Sequence, residues 1–220
     1  MLQILDHPSS NVMPRATISL EEIYKQKTVL IYHKGKSIPM LDRDIFFVQQ
    51  GIVQLSSFDS EGNDILLGII SPSMPFGLPL TSVEPYHGVA LSNVSLIRFT
   101  VAEVEQYFDL SRLVMRGLDM RLQQSEAIHS ILCSRHISEK LYRFLELLSR
   151  EIGEPVTNGT RLKVRFTHQH LASTIGTTRV TITRMLQRFQ QNGMIILDEK
   201  RHIIMSSSKQ FSLNQQLTIS

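Results

Sequence analysis

The chain has 220 residues, enough for two domains of roughly 100 residues that each bury a core. A single cysteine excludes intramolecular disulfides and four-cysteine metal clusters, and no apolar run approaches the roughly 18 residues of a membrane span. The net charge is only +3, but residues 161–205 carry eight Lys or Arg against two acidic residues, a net charge of +6. We therefore expect a soluble protein of a reducing compartment whose C-terminal end favours a polyanionic ligand.

Short β-strands are predicted along the first hundred residues. Residues 45–57 (IFFVQQGIVQLSS) are rich in β-branched and aromatic side chains, and residues 59–63 (DSEGN) offer a turn. Residues 64–70 (DILLGII) form a second predicted strand after this turn, so the two strands are predicted to pair as a hairpin. Further strands are predicted at residues 28–32 and 88–100. Short strands at this spacing favour a sandwich or barrel, of which a jelly roll is one version.

A long helical stretch is predicted for residues 101–152, broken near residues 134–136. Within it, five residues are spaced alternately four and three positions apart, as the d and a positions of a heptad repeat are. They are Leu118, Leu122, Ser125, His129 and Leu132. Arg121 then falls at g and Glu126 at the following e, a relation that pairs opposite charges across a parallel dimer. The seam is short, so an ordinary amphipathic helix packed on the β domain is the alternative.

Two helices joined by a sharp turn are predicted for residues 167–191. Thr167 can cap the first helix, and Leu171 and Ile175 lie four residues apart on one apolar face. Gly176 suits a left-handed helix end, and Thr178 can cap the second helix. That helix buries Ile182, Met185, Leu186 and Phe189, and presents Arg179, Val180, Thr183, Arg184, Gln187 and Arg188 on its other face.

The exposed side of the second helix has the chemistry of a major-groove reader. Arg can donate two hydrogen bonds to guanine, Thr can bond a base edge or a phosphate, and an exposed Val can pack on a thymine methyl. An amphipathic helix pair with a merely solvated basic face is the alternative. Residues 195–204 read as a hairpin with a charged tip, the wing of a winged helix, from which Lys200 and Arg201 can reach a phosphate backbone.

Taken in this order, the elements resemble the cyclic-AMP receptor/FNR superfamily of bacterial transcription regulators over nearly the whole chain. Within it, residues 175–186 (IGTTRVTITRML), 115–126 (MRGLDMRLQQSE) and 86–90 (YHGVA) are similar to the global nitrogen regulators of cyanobacteria and red-algal plastids. The resemblance implies an α+β fold with a cyclic-nucleotide-binding-like jelly roll in residues 1–110. A dimerisation helix and hinge would follow in residues 111–137, and a winged helix-turn-helix domain in residues 138–220.

The resemblance also implies a function and its partners. The protein would be a homodimer on a two-fold symmetric operator, in the bacterial cytoplasm or a plastid stroma, with RNA polymerase as a further partner. The residues expected to contact DNA are Thr178, Arg179, Val180, Thr183, Arg184 and Arg188, of which Arg179, Val180 and Arg184 would read bases. No sequence motif reports which genes are regulated, or whether they are activated or repressed.

The effector implied by the nitrogen-regulator branch is 2-oxoglutarate. Phe76, Gly77, Leu78, Pro79, Arg121 and Glu126 match the residues that would hold it. One further Arg of that branch is missing, because Glu84 stands near its place. A cyclic nucleotide is not expected, because no Arg lies between Gly77 and Ala90 to compensate a buried phosphodiester. Arg121 and Glu126 can therefore be an effector clamp or a plain salt bridge between protomers.

Other chemistry is not expected from the sequence. We find no nucleophile and base pair, no phosphate-cradling Gly loop and no metal motif, so no catalytic residue, metal or other cofactor is predicted. His168 and His170 are two apart on a helix and face different ways. Cys133 is interpreted as a small buried apolar group. A ligand-sensing module whose helix-turn-helix contacts only protein remains the alternative to a DNA-binding regulator.

Overall fold

The computed structural model describes Tyr24 and residues 26–207, so the outer ends of the first and last predicted domains lie outside the described residues. The N-terminal part is a sandwich of two antiparallel sheets. Its strands are β1 (Val29–Tyr32), β2 (Asp44–Gln50), β3 (Val53–Phe58), β4 (Asp64–Ile70), β5 (Pro75–Phe76), β6 (His87–Ala90) and β7 (Val94–Thr100). One sheet has the order β1-β7-β2-β5 and the other β4-β3-β6. Apolar residues of both sheets, such as Phe46, Leu55 and Leu96, form the core between them.

The strand predicted for residues 45–57 is wrong in one respect, because β2 and β3 belong to different sheets. The chain crosses between the sheets at Gly51, which has φ +92°, and a Cβ there would lie 2.3 Å from the carbonyl oxygen of Asn93. Residues 88–100 divide in the same way into β6 and β7. The predicted hairpin is β3 with β4, where Phe58 pairs with Asp64.

Three helices follow the sandwich: α1 (Val101–Gln106), α2 (Phe108–Leu132) and α3 (Ile137–Ile152). The break predicted at residues 134–136 is confirmed, and a second, unpredicted break lies at Tyr107. Thr100 begins α1 with a capping box, in which its hydroxyl accepts from the Glu103 amide and the Glu103 carboxylate accepts from the Thr100 amide. Cys133 ends α2 and is exposed. Its predicted burial is therefore wrong, because the chain leaves the core at this break.

The long helix α2 combines both interpretations offered by its sequence. One face packs Leu110 and Val114 against Phe47 and Phe99 of the sandwich. The opposite face carries Phe108, Met115 and Leu122, which are 52%, 67% and 58% exposed and lie seven residues apart. An apolar row of that period on a helix surface is typical of a coiled-coil seam. The helix therefore packs on its own β domain and still presents an apolar row to solvent.

The C-terminal part is a winged helix-turn-helix. It adds β8 (Gly153–Val156), β9 (Gly159–Leu162), α4 (His168–Ile175), α5 (Arg179–Gln191), β10 (Ile195–Leu197) and β11 (Ile203–Ser206), with the sheet order β10-β11-β9-β8. The pair β8 and β9 was not predicted. Phe144 and Leu148 of α3 lie in one apolar cluster with Leu171, Ile182 and Phe189. Ile52 and Ile69 of the sandwich join the same cluster, so the two parts share a core.

Gln124 of α2 connects three elements at that junction. Its side chain is 4% exposed, and its Oε1 accepts a hydrogen bond of 2.8 Å from the Ile69 amide. Its Nε2 donates to the Ile69 carbonyl at 2.9 Å and to the Glu151 carboxylate of α3 at 3.2 Å. Because a buried amide without partners costs about 1–3 kcal/mol, this arrangement fixes α2 against β4 and α3.

Within the described part of the chain, no helix combines the length and apolarity that crossing a membrane would require. The same residues contain no group of three or more His, Cys, Asp or Glu side chains placed to hold a metal ion.

Candidate nucleic-acid interface and sensor site

The helix-turn-helix of α4 and α5 is held by the caps that the sequence predicts. Thr167 accepts a hydrogen bond from the His170 amide at 3.1 Å, and Thr178 accepts from the Thr181 amide at 3.2 Å. Gly176 ends α4 in the left-handed conformation, with φ 74° and ψ 50°. The helices meet through Leu171, Ala172, Ile175, Ile182, Leu186 and Phe189, all of them buried. Met185 is only half-buried. The second helix is thereby oriented by a packed core.

One side of α5 is open to solvent and forms what we call the reading face, consisting of Arg179, Val180, Arg184, Gln187 and Arg188, all exposed. Val180 is 59% exposed. A branched apolar side chain surrounded by arginines and left in water is the residue type that packs on a thymine methyl. The side chains that the sequence predicts as base readers therefore lie together on one unobstructed surface.

Thr183 lies at the edge of the reading face and is half-buried. Its hydroxyl donates to the Arg179 carbonyl at 2.9 Å and lies 2.8 Å from Nδ1 of His168. The hydroxyl is thus engaged within the protein. The hydroxyl lines the wing side of the reading face and contacts His168, a residue that was not predicted from the sequence to belong to the interface.

A groove of about 900 Å³ separates the two helices from the wing, and we call it the wing groove. Arg165, His168, Arg179 and Arg201 line it together with polar residues of α5. Arg165 precedes α4 and Arg201 lies at the wing tip, so the basic lining comes from separate segments of the chain. Phosphate contacts are the usual role of such side chains flanking a recognition helix. Arg165 and His168 could have been suspected from their proximity to Thr167.

The wing tip is fixed by Asp198. Its carboxylate accepts from the His202 amide at 2.7 Å and from Nη1 of Arg161 at 3.3 Å. Although desolvation acts to raise it, hydrogen bonds from His202 and Arg161 hold the pKa of Asp198 below its ordinary value. Arg161 also donates from Nε to Glu154 at 2.6 Å. Fewer basic side chains are therefore available to DNA than the net charge of +6 suggests, because Arg161 forms ion pairs within the protein.

A second basic groove, of about 610 Å³, lies on the other side of α5. Arg135 and His136 from the break before α3 line it, together with Arg184 and Arg188 of α5. No acidic side chain lines this groove among the described residues. Basic side chains therefore lie on both sides of α5, where the wing groove also contains Asp198 and Glu199.

The predicted effector residues surround the short segment that follows β5. Phe76 is buried and stacks on Phe46, while Gly77 precedes a 3-10 turn at Leu78–Leu80 that contains Pro79. Nη1 of Arg121 lies 3.4 Å from the Pro75 carbonyl, so the structure brings this guanidinium to the loop. Glu126, one and a half turns further along α2, is exposed, and no ion pair joins it to Arg121 in the described residues.

Tyr86 is the residue of the sensor site that sequence reasoning passed over. It is 8% exposed, and its buried hydroxyl lies beside Arg121 and the backbone of Gly77 without a well-formed hydrogen bond among the described residues. Burial raises the pKa of Tyr86, and the nearby Arg121 opposes this rise. A buried hydroxyl beside a guanidinium forms a pair of donors suited to one carboxylate. Glu84, near the predicted place of the missing Arg, is exposed.

Comparison with known proteins shows which family the chain resembles. A family model described as the Crp-like helix-turn-helix domain matches residues 139–209. The global nitrogen regulator of Synechocystis sp. is 33% identical over 180 residues, covering 76% of this chain and 80% of that protein. That of Nostoc sp. is 32% identical over 180 residues, covering 76% of this chain and 81% of that protein.

A solved structure shows the same fold at lower identity. A transcriptional regulator of the CRP family from Thermus thermophilus matches with a TM-score of 0.69 and 16% identity, over 81% of this chain and 92% of that one. Sequence identity to the nitrogen regulators, the helix-turn-helix match and the shared fold agree. The chain therefore belongs to the CRP/FNR family of transcription regulators, which are DNA-binding proteins and not enzymes.

Proposed function

We propose that this regulator controls genes of nitrogen metabolism as a homodimer bound to a two-fold symmetric operator. The observation that carries the DNA-reading part of the proposal is the reading face, because its arginines and Val180 are exposed on a helix whose other side packs Ile182, Leu186 and Phe189 into the core. The relatives named as global nitrogen regulators support the nitrogen part. Its site of action is then the cytoplasm of a bacterium or the stroma of a plastid, with RNA polymerase as a further partner.

We assign roles to the arginines and Val180 of the reading face and to the neighbouring Thr178. Arg179 and Arg184 carry planar guanidinium groups that can bond guanine O6 and N7 in the major groove, while Val180 selects a thymine methyl. Arg188 is further along α5 and lines the second basic groove, where a phosphate is its expected partner. The Thr178 hydroxyl caps α5 and is exposed, so it can also donate to a phosphate at the helix N-terminus.

The homodimer is proposed from the exposed row on α2. Leu122, Ser125 and His129 of the predicted seam are exposed, whereas Leu118 and Leu132 are half-buried against their own protomer. Phe108 and Met115 extend the row by two heptads beyond the residues predicted from sequence. Pairing two copies along this row would place two recognition helices in successive major grooves, roughly 34 Å apart.

Binding to duplex DNA is expected to weaken steeply with salt. A dimer that neutralises roughly six to ten phosphates loses about 10³- to 10⁵-fold in affinity between about 50 mM and 200 mM salt, because condensed counterions are released on binding. Fluorescence anisotropy with a mixed-sequence duplex measures this directly. An affinity that stays flat with salt would contradict phosphate contact and favour a module that binds only protein.

For the effector we propose 2-oxoglutarate, held through one of its two carboxylates. Arg121 and Tyr86 supply hydrogen-bond donors for that carboxylate, so the residues present fit one end of 2-oxoglutarate. The second carboxylate lacks the expected cation, because Glu84 stands near the place of the missing Arg and lies in solvent. Glu126 is exposed on α2, where it can equally pair with Arg121 of the other protomer. Such an exposed bridge contributes only about 0–1 kcal/mol.

Calorimetry with 2-oxoglutarate is expected to show weak binding that disappears in Arg121→Gln and weakens in Tyr86→Phe. A compound with a single carboxylate should bind about as well, because only one carboxylate is held by charge. Glu84→Gln is the matched control, since its side chain is exposed and removing its charge leaves the donors in place. Absence of heat together with unchanged DNA affinity would overturn this proposal in favour of a regulator that acts without this effector.

A further inference from the structure

His168 is the first residue of α4 and forms part of the wall of the wing groove. The residue is half-buried, and its Nδ1 lies 2.8 Å from the Thr183 hydroxyl of α5. No hydrogen bond or ion pair within the described residues engages its other ring nitrogen, Nε2. Nδ1 of the imidazole therefore contacts the protein, whereas Nε2 has no partner within the described residues.

The Thr183 hydroxyl favours one of the two neutral tautomers of His168. Its single proton is donated to the Arg179 carbonyl at 2.9 Å, so its oxygen is left to accept from Nδ1 of His168. Both contacts are satisfied when Nδ1 is protonated. Neutral His168 then presents the lone pair of Nε2, which would repel a phosphate oxygen, whereas the imidazolium would present an N–H donor.

The charges around His168 come from each element packed against it. Arg179 lies on α5, Arg165 precedes α4 and Arg201 lies on the wing, and the acids that line the same groove are Asp198 and Glu199 of the wing. Asp198 is already engaged by His202 and Arg161. Burial, followed by Arg179, Arg165 and Arg201, keeps the pKa of His168 below its usual range in the absence of DNA.

We propose that Nε2 of His168 takes up a proton when duplex DNA enters the wing groove, and then donates that proton in a hydrogen bond to a phosphate oxygen. DNA affinity is thereby coupled to pH through one residue. This inference rests on the proposed DNA-binding function and adds to it a residue whose contact depends on its charge.

The sign of the coupling follows from the two states. Without DNA the arginines disfavour the imidazolium, and bound phosphates both neutralise those arginines and attract the new charge. The pKa of His168 is therefore higher in the complex than in the free protein. Affinity rises as the pH falls through the interval between these two pKa values, and it is level above and below that interval.

The test compares DNA binding from about pH 8 to about pH 5.5, the range in which histidines titrate. The wild-type protein should gain up to about tenfold in affinity per pH unit for each protomer, or up to about a hundredfold for a dimer that takes up two protons. His168→Gln, which stays neutral, should lose that part of the gain, on mixed-sequence as well as operator DNA. His170→Gln is the matched control on the same helix and should keep it. Because His136 and His202 remain in all variants, the difference isolates His168.

Two further measurements separate a charge effect from a structural one. At the acidic end, the slope of log affinity against log salt should be steeper by about 0.9 per protomer in wild type than in His168→Gln. NMR titration of the His168 ring should give a higher pKa with DNA than without it.

Equal pH dependence of wild type and His168→Gln, or an unchanged ring pKa, would overturn the proton coupling while leaving the DNA-binding proposal intact. Failure of the wild-type protein to bind duplex DNA at any pH would instead overturn the proposed function, and the coupling with it.

Discussion

Leu122→Asp is expected to convert the proposed homodimer into a monomer and to lower operator affinity by about 10²- to 10⁴-fold. Two half-sites bound by one dimer reinforce each other through effective concentration, and a monomer loses that gain. Leu122 is 58% exposed in the single chain, so the carboxylate does not disturb the core of the protomer. In the proposed dimer the same carboxylate would be removed from water along the seam, which disfavours a charged group. Light scattering coupled to gel filtration measures the assembly, and anisotropy measures the affinity.

Met120→Asp is the matched control for that prediction. Met120 is also an exposed apolar residue of α2, but it lies two residues from Leu122 and off the seam. It should leave the dimer and its DNA binding unchanged, so that a general effect of an added acid on the helix is excluded. A Leu122→Asp protein that remains dimeric and binds the operator normally would show that α2 is not the interface.

Arg184→Ala is expected to weaken binding to the operator by roughly 1–3 kcal/mol and to leave binding to scrambled DNA nearly intact. Arg184 is exposed in the middle of the reading face, and a guanidinium that bonds a base edge contributes only where that base is present. The operator is obtained by selecting duplexes from a random pool with the wild-type protein. Affinities for the selected and the scrambled sequence are then measured at one fixed salt concentration.

Arg165→Ala provides the contrast to Arg184→Ala. Arg165 lies in the wing groove, where a phosphate is its expected partner, and a phosphate contact is the same on every sequence. Its loss should weaken operator and scrambled DNA about equally and reduce the salt slope by about 1 per protomer. An equal loss on both DNAs for Arg184→Ala would assign Arg184 to the backbone and remove it from the base readers.

Local patterns of the sequence sufficed to predict the helix-turn-helix. The caps at Thr167 and Thr178, the left-handed Gly176 and the buried residues of α5 depend on neighbours within a few positions of the chain, and the structure confirms them, with Met185 only half-buried. The break before α3 was likewise predicted. The predicted DNA contacts stay predictions, because they form only when DNA is bound. The predicted domain boundaries stay predictions as well.

The sensor domain was predicted less well, because its errors concern contacts between distant residues. Residues 45–57 show one continuous β pattern, yet they divide between two sheets at Gly51, where the chain passes close to the carbonyl oxygen of Asn93. No local pattern reports that close approach. In the C-terminal part, the strands β8 and β9 were missed although they form a local hairpin, in which Val156 pairs with Gly159. Only the pairing of β9 with β11 joins residues more than forty positions apart.

Composition and periodicity by themselves determined that the chain carries a basic, capped helix pair and an apolar row on a long helix, because these are properties of short segments. Tertiary structure decided which charges are free. Arg161 is withdrawn into ion pairs with Glu154 and Asp198, and the Thr183 hydroxyl contacts His168. It also decided that Tyr86 lies beside Arg121. The physical reason is that hydrogen bonds and burial depend on distances in space, which a pattern along the chain does not encode.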